Sequence, residues 1–268
     1  MAGESGVSDE KPVFVDYEKW LSDTFEVSFR VERTRYERES LRIKVAAEQS
    51  DFWRTYQVEK QDRAELYYAA TTYPLFSDAS TEQLLVKPWS SFIEKTYRVN
   101  IKDNPHWPLE PDGGWLLPKD WYSRVHDIVR TSIVVKYLDG VGHIAEYLRS
   151  LAGTLAIPDF ECTFEARDTG YYAAHSRIGV DFNVLVENWT EVETHGQFEI
   201  QITTQLQEVI RRLTHTEYES RRMREAEPAV KWQWDYASEA FKPNYLGHML
   251  HYLEGMIMEV RDRGPASV

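Results

Sequence analysis

Apolar and polar residues alternate strictly over 197–204, which is the clearest periodic pattern in the chain. The apolar positions fall on one side of this stretch: Phe198, Ile200 and Ile202. The polar positions fall on the other side: Glu199, Gln201 and Thr203. Aromatic and β-branched residues at a period of two predict a β-strand with one packed face. The polar face either carries catalytic or binding side chains or is the solvated face of an edge strand.

The remaining patterns predict three further strands and several helices. Strands are expected over 125–135, 160–167 and 172–182, and helices over 144–151, 205–222 and 245–260. The segment 13–73 is predicted to be largely helical, with a helix start at Ser50 and an end before Pro74. This order predicts an α+β fold, with a mixed or antiparallel central sheet flanked by helices and with N- and C-terminal helical extensions.

Two segments interrupt these patterns. The helix-like segment 80–95 contains Pro88, which must break or restart it. Residues 102–119 are rich in proline, glycine and tryptophan and predict a long loop, either a functional lid or a disordered segment. We predict a disordered lead-in over 1–12, followed by a single domain over 13–268 with a catalytic core at about 87–224.

Composition narrows the class of protein. The net charge of −13 argues against a broad electrostatic grip on nucleic acid, although a small basic site remains compatible with it. The single cysteine, Cys162, excludes an intramolecular disulfide and is expected to be a packed thiol. The N-terminus lacks the features of a secretory signal, and no apolar run is long enough to span a membrane. These features predict a cytoplasmic protein with no membrane partner.

Four short motifs, taken together, resemble a known family. They are Lys87-x-x-x-Ser91-x-x-x-Lys95, Asp127 at the start of a strand, Gly170-Tyr171-x-x-x-His175, and Glu199-Ile-Gln201-Ile-x-Thr. In this order they are similar to the synthetase (nucleotidyltransferase-like) domain of the RelA/SpoT family. The resemblance extends from Lys87 to Tyr218, about half of the chain, and is that of a stand-alone alarmone synthetase.

The resemblance implies a reaction and a metal. The expected activity is transfer of pyrophosphate from ATP to the ribose 3′-hydroxyl of a nucleotide, giving alarmones of the (p)ppGpp or (p)ppApp type. Asp127 and Glu199 are the expected catalytic and metal-binding residues, because Mg²⁺ prefers carboxylate oxygens. Glu199 is a metal ligand, the base for the 3′-hydroxyl, or both.

The resemblance also assigns substrate contacts. The residues expected to bind ATP are Lys87, Ser91, Lys95 and Arg130, and the spacing of the first three predicts one helical face. The residues expected to bind the acceptor are Tyr171, His175, Arg177, Gln201, His215 and Tyr218. Ordinary structural roles compete with these assignments: a cationic helix face, a core tyrosine and a buried histidine.

The chain departs from the family at three positions where arginine is usual: Ser132, Tyr172 and Thr203. The departures leave the acceptor open. One alternative is a toxin of a toxin–antitoxin pair that pyrophosphorylates the 3′ end of tRNA, with an antitoxin protein as its partner. A second is a non-catalytic nucleotide-binding module. The acidic charge favours a small acceptor, and self-association into a homo-oligomer is compatible with the sequence.

Overall fold

The computed structural model describes residues 10–78, 82–185, 190–222 and 231–263, with the side chains of 214–222 left out of the description. The helices are α1 (Tyr17–Phe25), α2 (Phe29–Gln49), α3 (Asp51–Thr71), α4 (Trp89–Tyr97), α5 (Trp121–Arg124), α6 (Leu138–Thr154), α7 (Gln205–Arg222) and α8 (Phe241–Asp262). The strands are β1 (Leu85–Val86), β2 (Val129–Val135), β3 (Glu161–Ala166), β4 (Tyr172–Leu185) and β5 (Glu191–Thr204). Among the described residues, no helix is long and apolar enough to cross a membrane.

The strands form one five-stranded sheet in the order β1-β2-β5-β4-β3. β2 runs parallel to β5, whereas β3 runs antiparallel to β4, so the sheet is mixed. This confirms the predicted α+β fold with helices flanking a mixed sheet. β5 has a neighbour on each side, and the alternative of a solvated edge strand is therefore wrong.

The chain divides into two compact units. The first contains the chain up to Ala46, together with Leu85–Val129 and Val180–Gln197. The second contains Ala47–Leu84, Arg130–Gly179 and the chain from Phe198 onwards. The long strands β4 and β5 contribute residues to both.

Aromatic packing holds the predicted loop 102–119 within the first unit. The ring of Trp20 on α1 lies 5.7 Å from that of Trp107 and 5.3 Å from that of Trp115. Next to Trp115, Leu116 is buried, and its backbone N–H and C=O both bond to the side-chain amide of Asn100. The segment is irregular, as predicted, but its tryptophans order it, so the alternative of disorder is wrong.

The second unit packs helices against the apolar face of β5. Phe198, Ile200 and Ile202 are fully buried, as their alternation predicts. Phe52 and Trp53, on the first turn of α3, lie edge-on to Phe198 with ring centroids 6.4 Å apart in both cases. Ser50 caps this helix by accepting a hydrogen bond of 3.2 Å from the backbone N–H of Trp53, which confirms the predicted helix start.

Two local predictions are wrong. α6 begins at Leu138 and not at residue 144, so Gly140 lies inside the helix. A Cβ atom there would approach the Cβ of Val135 to 3.0 Å, so the glycine permits close packing and makes no turn. α4 begins only after Pro88, which is its N-cap, because proline is tolerated at a helix start but not in its interior. Lys87 therefore precedes the helix and does not share a helical face with Ser91 and Lys95.

Candidate functional site

Glu199 lies at the centre of a polar cluster on the sheet of the second unit. In the parallel register, Arg130 is opposite Glu199 and Ser132 is opposite Gln201, so these side chains project from one face. The Glu199 side chain is 8% exposed. Its Oε1 accepts a hydrogen bond of 2.6 Å from Gln201 Nε2, and its Oε2 lies 3.2 Å from His175 Nδ1. Gln201, which the resemblance assigns to the acceptor, thus pairs with Glu199.

A relay connects Glu199 to Tyr171 through His175. The Tyr171 hydroxyl lies 2.9 Å from His175 Nε2. The tautomer with its proton on Nδ1 satisfies both contacts, because Nδ1–H then donates to Glu199 and Nε2 accepts from Tyr171. Burial, followed by the negative charge of Glu199, raises the pKa of Tyr171 well above its usual range. The phenol therefore stays protonated and remains the donor at neutral pH.

The turn before Tyr171 depends on two glycines. Gly170 has a φ of +75°, and a Cβ atom there would overlap the carbonyl oxygen of Asn244 on α8. Gly247 on the same helix meets the backbone of Gly170 directly. The guanidinium of Arg167 lies 5.1 Å from the centroid of the Tyr171 ring. The ring of Tyr171 is thus positioned by its own turn, by α8 and by His175.

A small cleft opens beside this cluster. Its lining residues come from two strands, the turn and the first turns of α7: Ser132, Tyr171, Gln201, Thr203, Gln207 and Arg211. The space measures about 260 Å³, part of it open to solvent. Ser132 and Thr203, two of the positions where the resembled family has arginine, are both in this lining. At the third position, the Tyr172 hydroxyl bonds to His248 Nδ1 at 2.8 Å.

Two lining residues, Gln207 and Arg211, are not among the predicted site residues. Arg211 lines the cleft, and its guanidinium donates to Glu208 at 2.7 and 2.8 Å. Burial raises the pKa of Glu208, but hydrogen bonds from Arg211 and Arg212 outweigh it and hold that pKa below its usual value. A signal was present, because Gln207 and Arg211 are four residues apart on a predicted helix that directly follows the polar strand.

The first unit contains a separate cluster of Asp127 and two lysines. Lys87 Nζ donates to Asp127 Oδ2 and Lys95 Nζ to Oδ1, each at 2.6 Å. Burial raises the pKa of Asp127, but the charges of Lys95 and Lys87 outweigh it, so the pKa lies well below the usual range of a carboxyl group. The backbone of Lys87 is fixed as well, since its N–H donates to Ile128 and its C=O accepts from the Tyr36 hydroxyl.

The other predicted site residues lie apart from these clusters or outside the description. Ser91 is half-buried on α4, one turn before Lys95. Arg177 faces β3, where its Nη1 donates to Glu161 at 2.8 Å. The side chains of His215 and Tyr218 lie outside the described residues.

Both residues predicted to bind Mg²⁺ supply carboxylate oxygens, the donors that this ion prefers. Asp127 lies in the first unit and Glu199 in the second. Among the described residues, no group of three or more His, Cys, Asp and Glu side chains could hold a metal ion by itself.

Comparison with known proteins identifies the fold. No protein-family profile and no curated protein sequence matches the chain. Among solved structures, small alarmone synthetase 2 from Bacillus subtilis matches with a TM-score of 0.50 and 14% identity, over 85% of this chain and 98% of that one. Small alarmone synthetase 1 from Bacillus subtilis gives 0.47 and 16%, over 92% and 97%. A GTP pyrophosphokinase family protein from Streptococcus pneumoniae gives 0.47 and 16%, over 93% and 94%. The first match confirms that the chain has the fold predicted by the resemblance.

Proposed function

We propose that this protein is a Mg²⁺-dependent pyrophosphokinase that transfers pyrophosphate from ATP to the ribose 3′-hydroxyl of a guanine or adenine nucleotide. The observation that carries the proposal is the buried Glu199 carboxylate, held by Gln201 and His175 next to a cleft. It occurs in a chain whose fold matches that of an alarmone synthetase. A carboxylate on a rigid strand, with both oxygens oriented by neighbours, suits a general base.

Glu199 would take the proton of the 3′-hydroxyl as the hydroxyl oxygen bonds to the β-phosphorus of ATP, while the bond from that phosphorus to the α,β-bridging oxygen breaks and AMP leaves. Its Oε1 is oriented by Gln201 and its Oε2 by His175. Tyr171 keeps His175 in the tautomer that donates to Glu199, since the phenol donates to Nε2. The carboxylate is therefore held in one orientation before a substrate arrives, which is the positioning that transfer reactions depend on.

The lysines of the first unit are proposed to bind the triphosphate. Lys87 and Lys95 each bond to one oxygen of Asp127, so their two ammonium groups converge. The two ammonium groups bring positive charge to one place, and an ammonium is a common ligand of phosphate oxygens. Mg²⁺ would neutralise triphosphate charge and polarise the phosphorus under attack, and Asp127, to which both lysines bond, is proposed as one of its ligands.

A second acceptor is favoured by one observation. Ser132 and Thr203 line the cleft at positions where the resembled family has arginine, so the cleft there carries hydroxyl groups in place of two cations. That chemistry favours an acceptor other than a nucleoside di- or triphosphate. The 3′ end of tRNA is the second candidate, and the enzyme would then be a toxin with an antitoxin partner.

The test is transfer of label from γ-labelled ATP in the presence of Mg²⁺. GDP, GTP, ADP, ATP and deacylated tRNA are supplied in turn, and labelled products are separated by chromatography and gel electrophoresis. We expect a labelled nucleotide in the wild type and none with Glu199→Gln. Glu146→Gln, at an exposed ion pair with Arg149 on α6, is the matched control and should retain activity.

The outcomes separate the candidates. Label on tRNA alone supports the toxin. No label on any acceptor, from a protein that binds ATP, supports a non-catalytic module and overturns the proposal. Turnover by Glu199→Gln at the wild-type rate would remove Glu199 as the base.

A further inference from the structure

Arg211 supplies positive charge to the cleft of the second unit. Among the described residues that line this cleft, it is the only one that carries a charge. Its side chain is 39% exposed, so a ligand in the cleft can reach it. The resembled family has arginine at two other positions of the lining, where this chain has Ser132 and Thr203. The cation of this cleft therefore comes from α7 and not from the sheet.

A buried carboxylate fixes the orientation of Arg211. Glu208 lies one turn earlier on α7, and its side chain is only 4% exposed. Arg211 Nε donates to Glu208 Oε2 at 2.7 Å, and Nη2 donates to Oε1 at 2.8 Å. Such paired bonds hold the planar guanidinium in one geometry, unlike the guanidinium of a free surface arginine. The cation is therefore in place before a ligand arrives.

The bonds to Glu208 leave part of this guanidinium available to a ligand. Of its N–H groups, Glu208 takes the one on Nε and one of the two on Nη2, so both on Nη1 and the second on Nη2 remain. Within the described part of the chain, no other acceptor bonds to the Arg211 guanidinium. The edge formed by Nη1 and Nη2 can bond two oxygens of one phosphate group.

The charges around Glu208 do not cancel. Arg212 Nε also donates to Glu208 Oε1, at 2.7 Å, so two guanidinium groups share one carboxylate. Burial raises the pKa of Glu208, but the hydrogen bonds from Arg211 and Arg212 outweigh it, and the carboxylate is therefore ionised at neutral pH. One positive charge remains in excess. Of the two arginines, only Arg211 lines the cleft, so the excess charge can be used there by an anionic ligand.

The charge of Arg211 lies beside the residue proposed to stack on the acceptor nucleobase. Tyr171 lines the same cleft. Burial, followed by the charge of Glu199, raises the pKa of Tyr171, and the charge of Arg211 is among those that oppose this rise. Gln201, which bonds to Glu199, lines the cleft as well. A nucleotide in the cleft would have its nucleobase at Tyr171, its 3′-hydroxyl towards Glu199 and a phosphate within reach of Arg211.

We propose that Arg211 binds a single phosphate of the acceptor and thereby selects acceptors with one phosphate next to the terminal nucleoside. The guanidinium fork fits one phosphate group, and the described lining offers no second cation to a longer phosphate chain. This phosphate is either the 5′-phosphate of a nucleoside monophosphate or the phosphodiester that precedes the last nucleotide of an RNA. The assignment rests on the proposed function, because it takes the cleft as the acceptor site.

Calorimetric titration of the full chain with matched probes tests the assignment. Guanosine and adenosine are compared with GMP and AMP, and adenosine also with the dinucleotide CpA, whose phosphodiester represents the end of an RNA. Each titration is made with and without an ATP analogue that has a methylene group between its α- and β-phosphorus atoms and cannot transfer pyrophosphate. A monophosphate or CpA should bind the wild type about ten- to a hundredfold more tightly than its nucleoside, as expected for charge-assisted hydrogen bonds.

The two neighbouring arginines supply the variant and its matched control. Arg211→Gln should remove the preference for a phosphate and leave the affinity for nucleosides unchanged, because a nucleoside has no group for the guanidinium to bind. Arg212→Gln removes the same charge from the same carboxylate, but on a side chain that is 59% exposed, and should keep the preference. GDP should bind the wild type about as tightly as GMP. Circular dichroism establishes that both variants are folded.

Three results would overturn the Arg211 site: nucleosides that bind as tightly as the phosphorylated probes, an equal loss of the preference in Arg211→Gln and Arg212→Gln, or no binding of any probe. Much tighter binding of GDP than of GMP would refute the restriction to one phosphate. A preference that depends on Arg211 for CpA alone assigns the phosphate to an RNA, and one for GMP or AMP assigns it to a free nucleotide.

Binding and transfer fail separately in this design. A protein that binds a monophosphate or CpA through Arg211 but transfers no label from ATP would refute the proposed function and leave the phosphate site in place. A protein that transfers label to its acceptor equally well with Arg211→Gln, and shows no preference for a phosphate, would leave the proposed function in place and remove Arg211 from acceptor recognition.

Discussion

Replacing Gly247 by alanine tests the contact that positions Tyr171. A Cβ atom on Gly247 would overlap the carbonyl oxygen of Gly170 and lie 3.0 Å from its carbonyl carbon. These are backbone atoms, which cannot rotate aside as the end of a flexible side chain can. α8 or the Gly170 turn must therefore move in the variant.

The size of the effect follows from a comparison within one helix. Gly255 is also in α8, but a Cβ there would meet nothing within 4 Å. Both substitutions gain the same helix propensity, about 0.8–1 kcal/mol, while only Gly247→Ala incurs an overpacking cost of about 1–3 kcal/mol. Because the overlap is with backbone, we expect the upper end. Gly255→Ala should stabilise the protein by about 1 kcal/mol, and Gly247→Ala should be less stable than Gly255→Ala by about 3 kcal/mol.

Urea unfolding of both variants, followed by circular dichroism, gives the two free energies of unfolding. Acceptor affinity, measured by calorimetry on the folded protein, should fall for Gly247→Ala and stay unchanged for Gly255→Ala, since only the first moves the turn that carries Tyr171. Equal stability of the two variants would refute the inferred backbone contact. Equal acceptor affinity in the two variants would show that moving the Gly170 turn does not change acceptor binding in the cleft.

Three further predictions concern single side chains. Asp127→Asn removes the carboxylate to which two lysines bond and should cost on the order of 3 kcal/mol at pH 7. Because the folded pKa of Asp127 is lowered, the difference in the free energy of unfolding between wild type and variant should shrink as pH falls below about 4, which urea titrations at each pH would measure. Tyr171→Ala should weaken acceptor binding about ten- to a hundredfold if a base stacks on the ring. Tyr171→Phe keeps the ring and removes only the hydrogen bond to His175, worth about 1 kcal/mol. This second variant should have a lower kcat with little change in acceptor affinity. Burial raises the pKa of Glu254 more than hydrogen bonds from Thr204 and Gln207 lower it. The stability that Glu254 contributes is therefore present below pH about 4 and is lost as pH rises through the folded pKa. Towards pH 7, Glu254→Gln should become more stable than the wild type.

Strict periodicity made much of the second unit predictable. The alternation over 197–204 predicted which side chains of β5 are buried, and the helical spacing after it predicted α7 from Gln205 to Arg222. On β5 the apolar side is the buried side, so local pattern and tertiary packing agree there. On α7 they do not, because Val209 and Leu213 are exposed whereas Gln207 and Glu208 are buried. The same alternation placed Glu199 and Gln201 on one face of the strand, where they form a hydrogen bond.

Long-range contacts were not predictable from local patterns. Asp127 and Lys87 are 40 residues apart, and their bond depends on where the chain turns at Pro88. Gly140 lies before the predicted start of α6 at residue 144, because a glycine usually marks a turn. The close approach of Val135, which explains this glycine, is not visible in the sequence. The same holds for α8: the sequence predicts a helix over 245–260 but not which of its faces packs on the unit. Its small and polar residues match specific partners elsewhere in the unit, which a periodicity argument cannot identify.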